Sequence, residues 1–337
     1  MAGGHDGGSA ETRKHVRILS LDGGGVYQIT AAMGLAELER RTGKPVADLF
    51  DLIAGTSAGG LLALACLVPG EDGRPRYTAE DLISLYEEGA GRIFSSSLWH
   101  WLRALGGLTH EKYEATGLEA ALAEVFGDAP MAGAVRPALI PAYDIDHDTP
   151  YFFRSHRART DPAHAFRMRD ALRAATAVPA FFPPSRVTSD AGDELACIDG
   201  GVVAFNPALW AYLEARELFP RAQHMTVASF GAVRPDHGLR YENVLGWGRM
   251  NWAGPVFELM CDVSALGVDT QLARLLDHGG GDNRHDRFDA IIDRPRFATL
   301  DDASAQNIRT VKATGRDMIA RHQADLEALC ARLRDRI

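Results

Sequence analysis

Residues 49–67 place the tightest limit on the fold. A short apolar run, Leu49 to Ala54, reads as a buried strand; Gly55-Thr56-Ser57-Ala58-Gly59 follows, and Leu61 to Leu67 then supplies helix formers. A strand that turns sharply into a helix across small residues belongs to an α/β chain. A serine at the apex of G-x-S-x-G is the setting of a nucleophile elbow. Gly55 and Gly59 suit it because a side chain at either place would crowd the crossing. Ser57 would stand at a helix N-terminus, where bare N–H groups and the dipole favour developing negative charge. An ordinary turn, with Ser57 as a helix N-cap, would use the same residues.

A second glycine turn lies upstream. Val16 to Leu21 alternates as a strand and runs into Asp22-Gly23-Gly24-Gly25; from Ile29 to Arg41, Met33, Leu35, Ala36 and Leu38 fall at helical spacing. Three glycines between strand and helix leave N–H groups that can cradle a phosphate or stabilise an oxyanion. A dinucleotide fingerprint would need glycine where Gln28 stands and an acid at the end of the second strand, and a P-loop would need a lysine. The phosphate reading therefore recedes. Farther on, Glu194 to Ile198 reads as a strand ending in Asp199-Gly200-Gly201. In a parallel sheet Asp199 would leave the same edge as Ser57; alone, the segment is an Asp-Gly turn.

Composition removes several function classes. The formal charge of −9 gives no basic footprint, so nucleic acid is not an expected partner. No run nears ~18 consecutive apolar residues, so a membrane span is not expected. Residues 1–14 are polar and lack a signal-peptide core, and read as a disordered tail. Cys66, Cys197, Cys261 and Cys330 are scattered in mostly apolar surroundings and read as buried thiols of a cytoplasmic protein. Residues 15–337 read as one domain, with core motifs over 16–210 and a helical elaboration over 240–337.

Between these landmarks, helices are expected over Ala79–Ile93, Glu111–Phe126, Met168–Ala175, Pro207–Leu218, Leu245–Asp277 and about 301–335. Strands are expected over Val135–Ile145, Pro150–Arg154, Met225–Phe230 and Arg287–Ile292. The apolar stretch 94–108, with Trp99 and Trp101, fits a packed flap or a lid that meets lipid. Asp144 to Asp148 is acidic but lacks the EF-hand glycine and glutamate, and reads as a polar turn.

With its three turns in this order, the chain resembles the patatin-like phospholipases. Leu85-Tyr86-Glu87, Ile93-Phe94, Thr176-Ala177-Val178-Pro179 and Asn206-Pro207 add to the resemblance, which covers about residues 16–320. It implies a three-layer α/β/α fold with a largely parallel central sheet. It further implies lipid acyl hydrolysis with Ser57 as nucleophile, Asp199 as proton acceptor, and Gly23, Gly24 and Gly25 as the oxyanion loop, framed by Gly55, Gly59, Gly200 and Gly201. No metal and no cofactor is implied. The partner would be a lipid at a membrane or micelle surface, met peripherally by a cytoplasmic protein; no feature identifies an activator. Val26-Tyr27-Gln28 stands where the family continues with x-Arg-Gly, so the charge and shape of the loop differ. Two rivals use the same residues: a catalytically silent scaffold, and a Ser–Asp–His esterase of the α/β-hydrolase type. In the second, several strands precede the elbow, whereas here one strand and one helix do.

Overall fold

The computed structural model describes residues 13–93, 111–231, 233–235, 239–278, 282–292 and 300–334. Alternation along buried strands builds the centre. In β1 (His15–Leu21), Leu19 and Leu21 enter one apolar cluster while Val16 and Ile18 enter another. β2 (Leu52–Gly55) repeats this, with Ile53 on the first face and Leu52 and Ala54 on the second. The other strands are β3 (Ala138–Asp144), β4 (Thr149–Arg154), β5 (Ser185–Thr188), β6 (Glu194–Asp199), β7 (His224–Phe230), β8 (Arg234–Pro235), β9 (Arg284–Phe288) and β10 (Ile291–Ile292). Eight of them form one sheet in the order β5-β6-β3-β2-β1-β7-β9, with β4 also on β3; β8 and β10 pair separately. From β3 to β9 the sheet is parallel. Burial on both faces explains why β1, β2, β3 and β7 are mostly apolar, while β9, at the sheet's edge, is charged.

Helices cover the two faces. α1 (Gln28–Thr42), α2 (Ala58–Ala65), α3 (Ala79–Ile93), α4 (Thr116–Phe126) and α5 (Met168–Ala175) pack on the first. α6 (Ala208–Leu218), through Ala208, Ala211 and Ala215, and α7 (Arg249–His278), through Leu272 and Leu276, cover the second. α8 (Ala305–Arg321) and α9 (Gln323–Arg334) return to the first. This is the expected three-layer α/β arrangement.

One expectation about direction is corrected. β6 runs antiparallel to β3, not parallel with the elbow strand. Leu139 of β3 pairs with Ala54 on one side and Arg154 of β4 on the other; Ala142 pairs with Asp199 on one side and Tyr151 of β4 on the other. Thus β2 and β6 lie on the same edge of β3 and approach each other end to end. The residue after β2's turn and the last residue of β6 meet in the gap.

Other boundaries moved for local reasons. The strand expected from Leu49 starts at Leu52, because 46–49 form a helical turn and Asp51 accepts from the Arg17 backbone N–H at 2.9 Å. The closing helix is two helices parted at His322, whose ring meets Phe288 edge-on at 5.6 Å. The expected strand 287–292 is split by Asp289, which pairs with Arg287 and Arg234. The stretch beyond 240 is not only helical, since β9 joins the central sheet. The tail expectation reached two residues too far: Arg13 pairs with Asp51, and the Lys14 carbonyl accepts from the Gln223 and His224 N–H groups. The segment 94–108 lies outside the described residues.

Candidate active site

The glycine loop is fixed by named bonds. Gly23 N–H donates to the Phe205 carbonyl at 3.0 Å, and Val26 N–H to the Leu300 carbonyl at 2.9 Å. Gln28 Nε2, buried at the start of α1, donates to the Asp22 carbonyl at 2.7 Å. The Asp22 carboxylate is gripped by Arg287 of β9 at 2.6 and 3.0 Å, and Arg287 also reaches Ser229 and Asp289. Burial alone would loosen the Arg287 proton; Asp22 and Asp289 outweigh it and hold the guanidinium charged. What remains are the N–H groups of Gly24 and Gly25, without hydrogen-bond partners among the described residues. Gly25 has φ +56°, and a Cβ there would stand 2.2 Å from the Leu300 carbonyl oxygen, so only glycine fits.

The elbow is equally constrained. Ser57 has φ 54° and ψ −125°, a backbone conformation that costs a non-glycine residue ~1–3 kcal/mol. A Cβ on Gly55 would lie 2.2 Å from the Gly59 carbonyl oxygen, and one on Gly59 would lie 2.2 Å from that of Asp22. Thr56 ties the turn to both neighbours, donating from N–H to Leu21 at 3.0 Å and from Oγ1 to the Ala204 carbonyl at 2.6 Å. Ser57 occupies the N-cap position of α2 but makes no capping bond, which removes the plain-turn reading. Ala58 N–H has no partner among the described residues either.

Asp199 closes the site. It is 4% exposed; Oδ1 accepts from Gly201 N–H at 2.6 Å, while Oδ2 is buried without a hydrogen bond of full geometry. Burial pushes its carboxyl up, the Ser57 hydroxyl and Gly201 N–H pull it partly back, and it settles at about 6. Gly200 must be glycine, since a Cβ would stand 2.1 Å from the Pro141 carbonyl oxygen of β3. Gly24, Gly25, Ser57, Ala58, Asp199 and Gly201 all line one cavity of about 120 Å³, whose remaining walls are mostly apolar. A hydroxyl, a buried carboxyl and unbonded N–H groups around an apolar space can hold a hydrocarbon chain and bear negative charge on an oxygen.

An open α/β sheet with a strand–serine–helix elbow beneath a glycine loop defines an elbow-type α/β protein. The chain belongs to the patatin-like phospholipase family, whose model matches residues 19–212. Lipid acyl hydrolysis is the activity of that family in general. Among its relatives, Patatin-like protein 2 of Oryza sativa subsp. indica is 29% identical over 96% of this chain and 89% of its own. Patatin-like protein 4 of Arabidopsis thaliana is 28% identical over 90% and 83%. A protein named Probable inactive patatin-3-Kuras 1, from Solanum tuberosum, is 27% identical over 90% and 86%. Among the described residues no helix is long and apolar enough to cross a membrane.

Three supporting residues were not legible beforehand. Gln28 marked only a departure from the family's motif, yet its amide pins the loop's carbonyl. Arg287 and Leu300 are remote in sequence, and no local pattern signals that β9 and the turn before α8 reach the glycine loop. The acidic turn after β3 is a hairpin turn: Asp144 takes His147 Nδ1 at 2.7 Å and the Asp146 N–H at 3.2 Å.

Proposed function

We propose that the protein hydrolyses fatty-acyl esters of phospholipids or related lipids, with Ser57 as nucleophile and Asp199 as general base. The observation that carries this is a strained serine beside a buried, incompletely bonded carboxylate in an apolar cavity. Ser57 Oγ attacks the ester carbonyl carbon as Asp199 takes its proton. Gly24 and Gly25 N–H, joined by Ala58 N–H, receive the oxyanion. Gly23 shapes this loop rather than donating, because its N–H is already bonded to Phe205. Collapse expels the alcohol, which takes the proton back from Asp199, leaving an acyl-Ser57. Water then attacks the acyl carbon while Asp199 accepts its proton, and the proton returns to Ser57 Oγ as the fatty acid leaves.

A fluorophosphonate tests the reading, since it reacts only with an activated serine. Labelling should fall on Ser57, and because a base must be ionised to act, its rate should rise through about pH 6 and level above. A rate flat between about pH 5 and 7, or no adduct on Ser57, would sink the dyad. The loop makes a separate prediction. Gly24→Pro deletes one oxyanion donor and should lower kcat on a soluble ester ~10²–10³-fold with the fold retained. A folded Gly24→Pro protein with near-normal turnover would place the oxyanion elsewhere.

A further inference from the structure

α7 is apolar on two opposite faces. Cys261, Ala265, Leu272 and Leu276 are buried against the body of the protein. On the other side Val256, Leu259, Met260, Val263 and Leu266 recur at three- and four-residue spacing and stand open, Met260 being 65% and Val263 57% exposed. Single exposed apolar side chains are ordinary; a continuous stripe of five is not. At the N-terminal end of the helix Met250 is 92% exposed, Leu245 and Tyr241 are exposed too, and Trp247 and Trp252 pack edge-on at 5.3 Å.

We infer that this outer face of α7, with the Tyr241–Trp252 segment at its end, seats the protein on a lipid bilayer across the helix that walls the cavity. The inference rests on the lipid-hydrolase reading and adds the surface through which substrate is met. Three observations choose a bilayer over a second copy of the chain. The same helix contributes Cys261, from its inner face, to the wall of the Ser57–Asp199 cavity, so whatever covers the stripe lies one helix thickness, about 10 Å, from the site. Trp and Tyr at one end are the residue types that suit a membrane–water boundary. A chain of charge −9 repels its own copy. Arg240, Arg249 and Arg274 are outnumbered along this region by Glu242, Glu258, Asp262, Asp269 and Asp277. Apolar burial, not attraction to anionic lipid, therefore drives the contact.

The test uses the full chain and vesicles of phosphatidylcholine alone. Flotation should carry the wild-type protein with the vesicles, equally at about 0.05 and 0.5 M salt. Met260→Gln/Val263→Gln, which keeps good helix formers, should weaken partitioning ~10-fold or more and slow hydrolysis of vesicle lipid in parallel. Turnover of a soluble short-chain ester should be unchanged. Met250→Gln, at the most exposed position, gives a second reading should the double variant fold poorly. Vesicle binding by both folded variants equal to wild type would overturn the proposal. So would no flotation of the wild type, or a wild-type dimer that these substitutions dissociate. A wild type that binds vesicles through the stripe but cleaves no ester would leave the docking surface standing and refute the hydrolase reading instead.

Discussion

Ser57→Ala is expected to abolish both fluorophosphonate labelling and hydrolysis of a soluble ester, lowering kcat ~10⁴–10⁶-fold. The loss should come without unfolding, because the Ser57 side chain caps nothing: the turn is held by Thr56 and by glycine contacts on either side. Alanine keeps the same strained backbone, so the melting temperature should stay close to that of wild type. Ser57→Gly removes the same hydroxyl and also relieves the positive φ, and should stabilise the protein by ~1–2 kcal/mol. Rates on one soluble ester and melting temperatures, measured together, decide the matter. Retained turnover in a folded Ser57→Ala protein would overturn the mechanism.

Asp199→Asn should also eliminate activity, ~10²–10⁴-fold or more, since asparagine has the same shape but cannot take a proton. Its effect on stability runs the other way. The Asp199 carboxyl sits at about 6 in the folded protein against an ordinary 3.8, so folding favours the protonated form. Below about pH 4 the group is protonated whether the chain is folded or not, and burial carries no charge penalty. As pH rises through 6 the folded protein must bear a buried anion, and stability falls by ~3 kcal/mol relative to acid. An asparagine side chain bears no such charge, so the Asp199→Asn variant should outlast wild type in denaturant at pH 8 and match it near pH 4. The same assay separates the triad rival. His224, His278, His285 and His322 line no part of the cavity, and His237 lies outside the described residues. Each His→Gln variant should keep most of the rate; one as inactive as Asp199→Asn would restore a triad.

What was legible in the sequence was local. The glycine loop, the elbow and the Asp-Gly-Gly turn each announce themselves within a few residues, because backbone crowding at Gly25, Gly55, Gly59 and Gly200 admits nothing larger. Helices such as α1, α3 and α5 followed from apolar spacing, and α3 and α5 from their boundaries as well. What was not legible depends on contacts between distant segments. Nothing in Glu194–Asp199 states which way β6 runs beside β3. Arg287 lies in a charged stretch, Arg284–Phe288, that looks like a surface strand until Asp22 is placed opposite it. Likewise Gln28 reads as a misplaced side chain where the family has glycine, although the structure gives its amide a carbonyl to hold.

The meeting of β2 and β6 on one edge of β3 has a further consequence. Ala54 is registered to Leu139 and Asp199 to Ala142, so the interval between Ser57 and Asp199 is set by a count of residues on a third strand. Each residue of a strand advances about 3.3 Å. One residue added to or taken from β3 between those positions would move acid and hydroxyl out of reach of each other. The end of α5 adds a second tie, since Asp199 N–H donates to the Ala177 carbonyl at 3.0 Å and Gly200 N–H to that of Ala175 at 3.3 Å, whereas the turn 146–148 carries no such measure. That turn is free to change length while Ser57 and Asp199 keep their spacing.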